Sequence, residues 1–189
     1  MFIRSEHGVH IMLTFFCSER ERIVEFILSN PTANIRVREL ARQLKLSPAH
    51  ISNTLTAARK IGIIKNGKID LSDPYVKALK IYLNIKRIVT ENIADRLRTL
   101  KMAGAGVYGS WANGTNQEES DLDIWIKVER HPGEMKVASV TADIRRAMKR
   151  NVQILVLTPE RIRRLKMGDQ AFYYSLIYGS ILICGEAIE

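Results

Sequence analysis

The sequence predicts an α+β protein of two domains, a small helical one followed by an α/β one. Three observations carry this. Between Ser18 and Ile61 apolar residues recur at helical spacing with no sustained alternation. From Ala105 onward, short apolar runs alternate with helix-length polar stretches, the pattern of strands and covering helices. Between these regions, Ser72-Asp73-Pro74 punctuates the chain and opens a long helical stretch. The predicted boundaries are 1–72, a linker helix over 73–102, and 103–189.

The first eighteen residues are the least regular. Ile11, Leu13 and Phe15 alternate, which suits a short strand or an extended arm. Next, a helix begins at Ser18 or Glu19, carries Ile23, Val24, Phe26 and Ile27 on one side, and ends at Asn30-Pro31. A second starts near Val37, with Leu40, Ala41 and Leu44 at i+3, i+4 and i+7. Ser47-Pro48 reads as N-cap and first residue of a third, whose inner face is Ile51, Leu55, Ala58 and Ile61. Ile63-Ile64, the Asn66-Gly67 turn and Ile69-Leu71 predict a small hairpin. The linker helix is expected to run from Pro74 to Leu100 as one piece. Beyond it, Ala105–Tyr108 and Leu122–Ile126 read as strands. A basic helix spans Glu134–Arg150, and Asn151–Leu157 makes a third strand. Pro159 opens an arginine-rich helix, Ala171–Tyr178 forms the last one, and Ile181–Ile183 is a candidate strand.

Composition sets the chemical context. The formal charge of +9 favours a polyanionic partner, nucleotide or nucleic acid. No apolar run is long enough to span a membrane, no amphipathic anchor is evident, and no signal peptide is read, so a cytoplasmic protein without a membrane partner is expected. Cys17 and Cys184 are too few for a metal motif and read as free thiols.

The chemistry concentrates between Val107 and Val128. An apolar strand stops at Gly109-Ser110, a small-residue turn containing Asn113, Gly114 and Thr115 follows, and Ser120-Asp121-Leu122-Asp123 opens the next strand. Asp121 and Asp123 lie two residues apart in a strand, so both carboxylates leave one face. Two like charges side by side invite a hard divalent cation, and Mg²⁺ is held by one or two carboxylates plus phosphate oxygens. Gly109 lets backbone approach a ligand, and Ser110 can open a helix whose free N–H groups face an anion.

This stretch resembles the signature of the nucleotidyltransferase superfamily, which includes polymerase beta, the kanamycin nucleotidyltransferases and the minimal nucleotidyltransferases. The resemblance implies a mixed sheet and transfer of a nucleotidyl group from a nucleoside triphosphate to an acceptor, RNA or protein among the candidates. It implies Asp121 and Asp123 as catalytic ligands of Mg²⁺ or Mn²⁺, with Gly109, Ser110, Asn113, Thr115 and Ser120 on the nucleotide. The family carries a third carboxylate on the neighbouring strand, where this chain has Gln153. A glutamine carbonyl can ligate the ion but brings no charge. Two readings follow: an enzyme, or a regulator whose domain binds nucleotide without consuming it. A third, one component of a toxin–antitoxin pair, rests on the small helical partners that minimal nucleotidyltransferases often have.

The N-terminal helices and hairpin resemble a winged helix-turn-helix domain, whose third helix enters the DNA major groove. The resemblance implies His50, Asn53, Thr54, Arg59 and Lys60 on the recognition helix and Lys65 and Lys68 on the wing as DNA contacts. A palindromic site would imply a homodimer.

Overall fold

The computed structural model describes residues 18–31 and 35–189. The expected arm at residues 1–17, with Cys17, lies outside them. The chain divides into two compact units, Met1–Lys80 and Ile81–Glu189. Among the described residues no helix is long and apolar enough to cross a membrane.

In the first unit, α1 (Ser18–Ser29) buries Ile23, Val24, Ile27 and Leu28. α2 (Val37–Leu44) buries Leu40 and Ala41 and ends at Lys45, which takes the left-handed conformation (φ 56°) and returns its N–H to the Ala41 carbonyl. α3 (Pro48–Lys60) starts as its sequence requires: Ser47 caps it by accepting the His50 N–H at 3.2 Å, and Pro48 sits in the first turn. Its inner face holds Ile51, Leu55 and Ala58, and Thr54 as well.

The expected hairpin is smaller than its sequence suggests. Asn66 and Gly67 take positive φ, as a two-residue hairpin turn demands, but only Lys65 and Lys68 pair across it. Ile63, Ile64 and Ile69 turn into the core instead of extending the ladder. Asp73 then caps α4 (Pro74–Thr90), accepting the Tyr75 N–H at 2.9 Å and the Lys65 ammonium at 2.6 Å. Lys80 is buried and donates to the Leu28 carbonyl at 2.6 Å.

The long helix is not continuous. It stops at Thr90, Asn92 swings to φ 53°, and α5 (Ile93–Arg98) begins anew. Asparagine tolerates the left-handed region better than most residues, so the break falls there. It lets both Ile88 and Ile93 reach the core.

In the second unit, β1 (Gly104–Tyr108) leads into the one-turn helix α6 (Gly109–Asn113), then β2 (Leu122–Lys127), α7 (Glu134–Met148) and β3 (Val152–Leu157). α8 (Pro159–Gly168), α9 (Gln170–Gly179) and β4 (Ile181–Gly185) complete it. The sheet is mixed, in the order β3-β2-β1-β4. β1 pairs antiparallel with β2 and β4, and β2 pairs parallel with β3 across the α7 crossover.

Its two faces have different fates. Val107, Ile124, Ile126, Val152 and Val156 join Ile88, Ile93, Leu97, Trp111, Ile144 and Met148 in the main core. On the other face Trp125 and Leu157 pack with Leu176 and Ile188, flanked by Leu155, Ile162, Leu165 and Phe172. Gly106 makes this second layer possible, since a Cβ there would come within 2.5 Å of the Trp125 ring.

Candidate active site

Strand register assembles the site. Tyr108 of β1, Asp123 of β2 and Gln153 of β3 stand opposite one another, forming a row across three strands. In-register neighbours share a face, and this is the face that α8 and α9 cover around Trp125. Asp121 stands one step before β2. Gln153 donates its side-chain N–H to the Asp121 carboxylate at 3.0 Å. Gln153 is exposed, and both aspartates are half-buried.

Gly109 opens the row to the chain turn. It takes φ +67°, and a Cβ there would sit 2.8 Å from Asp123 Oδ2. The first turn of α6 thus abuts the Asp123 carboxylate, and N–H groups at a helix start have no partner within the helix. The Asp123 carboxyl is held above the ordinary aspartate value of 3.8, first by burial and then by the neighbouring Asp121 charge. Burial, followed by the Asp123 charge, also raises the Tyr108 phenol, while Arg161 opposes the shift. Tyr108 rests edge-on against Phe172, with ring centroids 6.3 Å apart.

This donor set fits a hard cation. Two carboxylates crowd one face, one of them disfavoured as an anion in the absence of a counter-charge, and an amide oxygen can turn toward them. Mg²⁺ takes such oxygen ligands and retains waters or phosphate oxygens for the rest. Among the described residues no group of three or more His, Cys, Asp or Glu side chains is placed to hold a metal. The pair would therefore hold its ion together with a ligand.

Of the residues assigned to the nucleotide, Gly109 and Ser110 begin α6 beside the carboxylates. Asn113 and Thr115 are exposed at its other end, past Gly114 (φ 68°), and the Thr115 N–H returns to the Ser110 carbonyl at 3.0 Å. Ser120 serves the turn, its hydroxyl accepting the Gln117 N–H at 2.8 Å. Trp111 and Trp125 are both core residues. On α9, Tyr173 is buried, whereas Tyr174 and Tyr178 are exposed.

Three residues that hold the site escaped sequence reasoning. Asn84 of α4 donates to the Trp111 carbonyl and to Asn116 Oδ1, both at 2.8 Å, and Asn116 donates back at 3.2 Å. This buried amide pair fastens the turn between Ser110 and Asp121 to the core. Arg150 lies past the end of α7, which stops at Met148. Its guanidinium donates to the Glu118 and Ser120 carbonyls at 3.2 and 3.1 Å and lies 4.7 Å from the Trp111 ring centre. It ties the entrance of the aspartate strand to the Gly-Ser helix. Its signal was an arginine at the end of a basic run, indistinguishable there from a solvated one. Asn84, a lone amide in an apolar helix stripe, was the visible clue.

In the first unit Asn53, Arg59, Lys60, Lys65 and Lys68 are exposed. Thr54 is not: it is 1% exposed and donates its hydroxyl to the His50 carbonyl, so it faces the core and cannot contact DNA. It lies between Ile51 and Leu55 on the inner face, where a small residue with a local backbone bond is accommodated. His50 is half-buried, with Nε2 3.7 Å from a Glu19 carboxylate oxygen.

Residues 91–184 match the family model of polymerase beta, nucleotidyltransferase. The match covers the sheet through Cys184 and the whole Gly109–Asp123 segment, and supports placing this part of the chain in the nucleotidyltransferase superfamily. The four-stranded mixed sheet fits that fold. No curated protein and no solved structure matches the chain.

Proposed function

We propose that the second unit transfers a nucleotidyl group from a nucleoside triphosphate to an acceptor hydroxyl. The observation that carries this is Asp123 seated against the Gly109 bend with the Asp121 charge beside it, within the segment that matches the nucleotidyltransferase family. In this reading Asp121 and Asp123 hold Mg²⁺ or Mn²⁺, with Gln153 as their neutral neighbour. When bound, the ion supplies positive charge against the polyphosphate. Gly109 and Ser110 bind the phosphates through the start of α6, and Tyr108, propped by Phe172, walls the site. The acceptor oxygen bonds to the α-phosphorus, the bond from that phosphorus to its β-bridging oxygen breaks, pyrophosphate leaves with the electron pair, and the hydroxyl proton passes to water. The first unit, with Asn53, Arg59, Lys60, Lys65 and Lys68 outward, binds duplex DNA in the manner of a winged helix and directs or autoregulates the enzyme.

One observation favours a second reading. Gln153 not only replaces a carboxylate but donates to Asp121, occupying one of its oxygens. A regulator that binds nucleotide without turnover is consistent with that bond. Incubation with labelled triphosphates, Mg²⁺ and mixed RNA and protein acceptors separates the two. Label transfer that disappears in Asp121→Ala/Asp123→Ala supports the enzyme; saturable nucleotide binding with no transfer supports the sensor.

A further inference from the structure

The elements that cover the second face of the sheet leave chemistry unused by the site. α8 exposes Arg161, Arg163, Arg164 and Lys166 against a single acid, Glu160. Arg163 donates through Nε to the Pro159 carbonyl at 3.3 Å, and Arg164 meets Glu160 at 3.5 Å on a largely exposed surface. Beyond the start of the helix, an open cavity of about 710 Å³ brings Arg130 and His131 up to the same arginines, with Glu129, Glu134 and Glu160 also on its lining. α9 exposes Tyr174 and Tyr178, 45% and 81% accessible, with rings 12° from parallel and centroids 6.0 Å apart. Two large aromatic rings are thus held partly open to water, one turn apart, with Tyr174 braced edge-on by the buried Tyr173.

Topology connects these groups to the carboxylates. α8 begins just after Leu157, which pairs with Lys127 at the end of the sheet remote from Asp123. α9 follows it, and Phe172 near its start touches Tyr108, which is in register with Asp123. A ten-residue helix is about 15 Å long, so α8 carries its positive charge along the sheet toward the aspartate row. Single strands are bound by this combination, a cationic track for the phosphates and aromatic faces for the bases.

We propose that the outer surface of α8 and α9 docks a single-stranded nucleic acid, its phosphates along Arg161, Arg163, Arg164 and Lys166 and its bases on Tyr174 and Tyr178. This rests on the nucleotidyl-transfer reading only for its consequence, that the strand end is delivered to the aspartate row. The binding itself can be tested separately.

The experiment is fluorescence anisotropy on the full chain with short labelled oligouridylate, oligothymidylate and a duplex. The unmodified chain is expected to bind the single strands, with affinity falling steeply as salt rises. Arg163→Glu/Arg164→Glu is expected to weaken binding roughly tenfold or more and to flatten the salt dependence. Tyr174→Ala/Tyr178→Ala is expected to weaken it about fivefold or more while leaving the salt dependence unchanged. Arg59→Glu/Lys60→Glu, in the first unit, is expected to weaken duplex binding and to cost single-strand affinity less than the α8 variant does. The proposal is overturned if neither single strand binds, if the α8 variant binds like the unmodified chain, or if the loss follows the first-unit variant instead. It is also overturned if the tyrosine variant changes sedimentation but not binding, which would make the tyrosines a contact between copies. Asp121→Asn/Asp123→Asn separates the two ideas. Strand binding that survives it without label transfer in any variant sinks the enzyme reading alone; transfer to protein acceptors with no strand binding sinks this one alone.

Discussion

At the scale of single residues, Asp123 would couple folding to a cation if the proposed site holds one. An acid whose folded-state pKa is raised keeps its proton longer in the folded chain than in the unfolded one, so stability falls as pH rises from 3.8 through the raised value and stays lower above it. Asp123→Asn removes that penalty. The variant is expected to melt above the unmodified chain at neutral pH without divalent ions, the difference closing below pH 3.8. Mg²⁺ should raise the melting temperature of the unmodified chain at neutral pH, lose its effect as Asp123 protonates, and do little to Asp123→Asn. Thermal melts across pH with and without the ion test this; a variant that melts lower at neutral pH contradicts it. Gln153→Glu tests the adjacent position. It replaces a donor 3.0 Å from Asp121 with a third negative charge. It should therefore lower stability without metal, recover it on adding Mg²⁺ or Mn²⁺, and speed label transfer if the second unit is an enzyme. Gly109→Ala combines a left-handed backbone strain of about 1–2 kcal/mol with a methyl group facing Asp123. Lower stability and loss of the Mg²⁺ effect are expected together.

At the scale of elements, most helices and strands were legible because their start and stop signals are local. Ser47-Pro48 opened α3 and Pro159 opened α8, each cap bonding within one turn of its own sequence. The break at Asn92 was not legible, since the apolar stripe continues through it and only the need to bury both Ile88 and Ile93 decides the kink. Thr54 was misread for a related reason: its position on the helix allowed either face, and the packing of α1 and α2 was not available to settle it. At the site, the Asp pair and the Gly-Ser bend were legible as one contiguous motif. The clip that holds them was not, because Asn84, Asn116 and Arg150 meet only in three dimensions. Asn84→Ala removes the donor to the buried Trp111 carbonyl and to Asn116 Oδ1, and a loss of roughly 1–3 kcal/mol is expected. In a double-mutant cycle the effects of Asn84→Ala and Asn116→Ala should fall well short of additive. Arg150→Lys keeps the charge but not the planar guanidinium that lies over the Trp111 ring while its Nη1 bonds the Glu118 and Ser120 carbonyls. If the second unit is an enzyme, it should lower kcat more than it raises KM, because the turn that delivers Asp121 loosens while Gly109 and Ser110 keep their place.

Across the whole molecule, the charge is unevenly shared. Residues 1–80 contain 13 lysines and arginines against 7 acids, and residues 81–189 contain 16 against 13. The excess is thus concentrated in the unit that lacks the carboxylate pair, which is where a polyanion bound for targeting would be held. Phosphate contacts release counterions, so each one adds about 0.9 to the slope of log affinity against log salt on duplex DNA. If Arg59, Lys60, Lys65 and Lys68 grip the backbone, duplex affinity should fall steeply with salt. Arg59→Glu/Lys60→Glu should weaken binding at every sequence and flatten the slope by roughly 2. Asn53, exposed on α3 and carrying no charge, is the side chain suited to pair with an adenine edge. Asn53→Ala should therefore change the preference among sites and leave the salt slope alone. Titrations of the full chain over a salt series, against a pool of duplexes, separate the two effects. A slope near zero for the unmodified chain would remove groove binding from the first unit and leave its basic face as a solvated or protein-contacting surface.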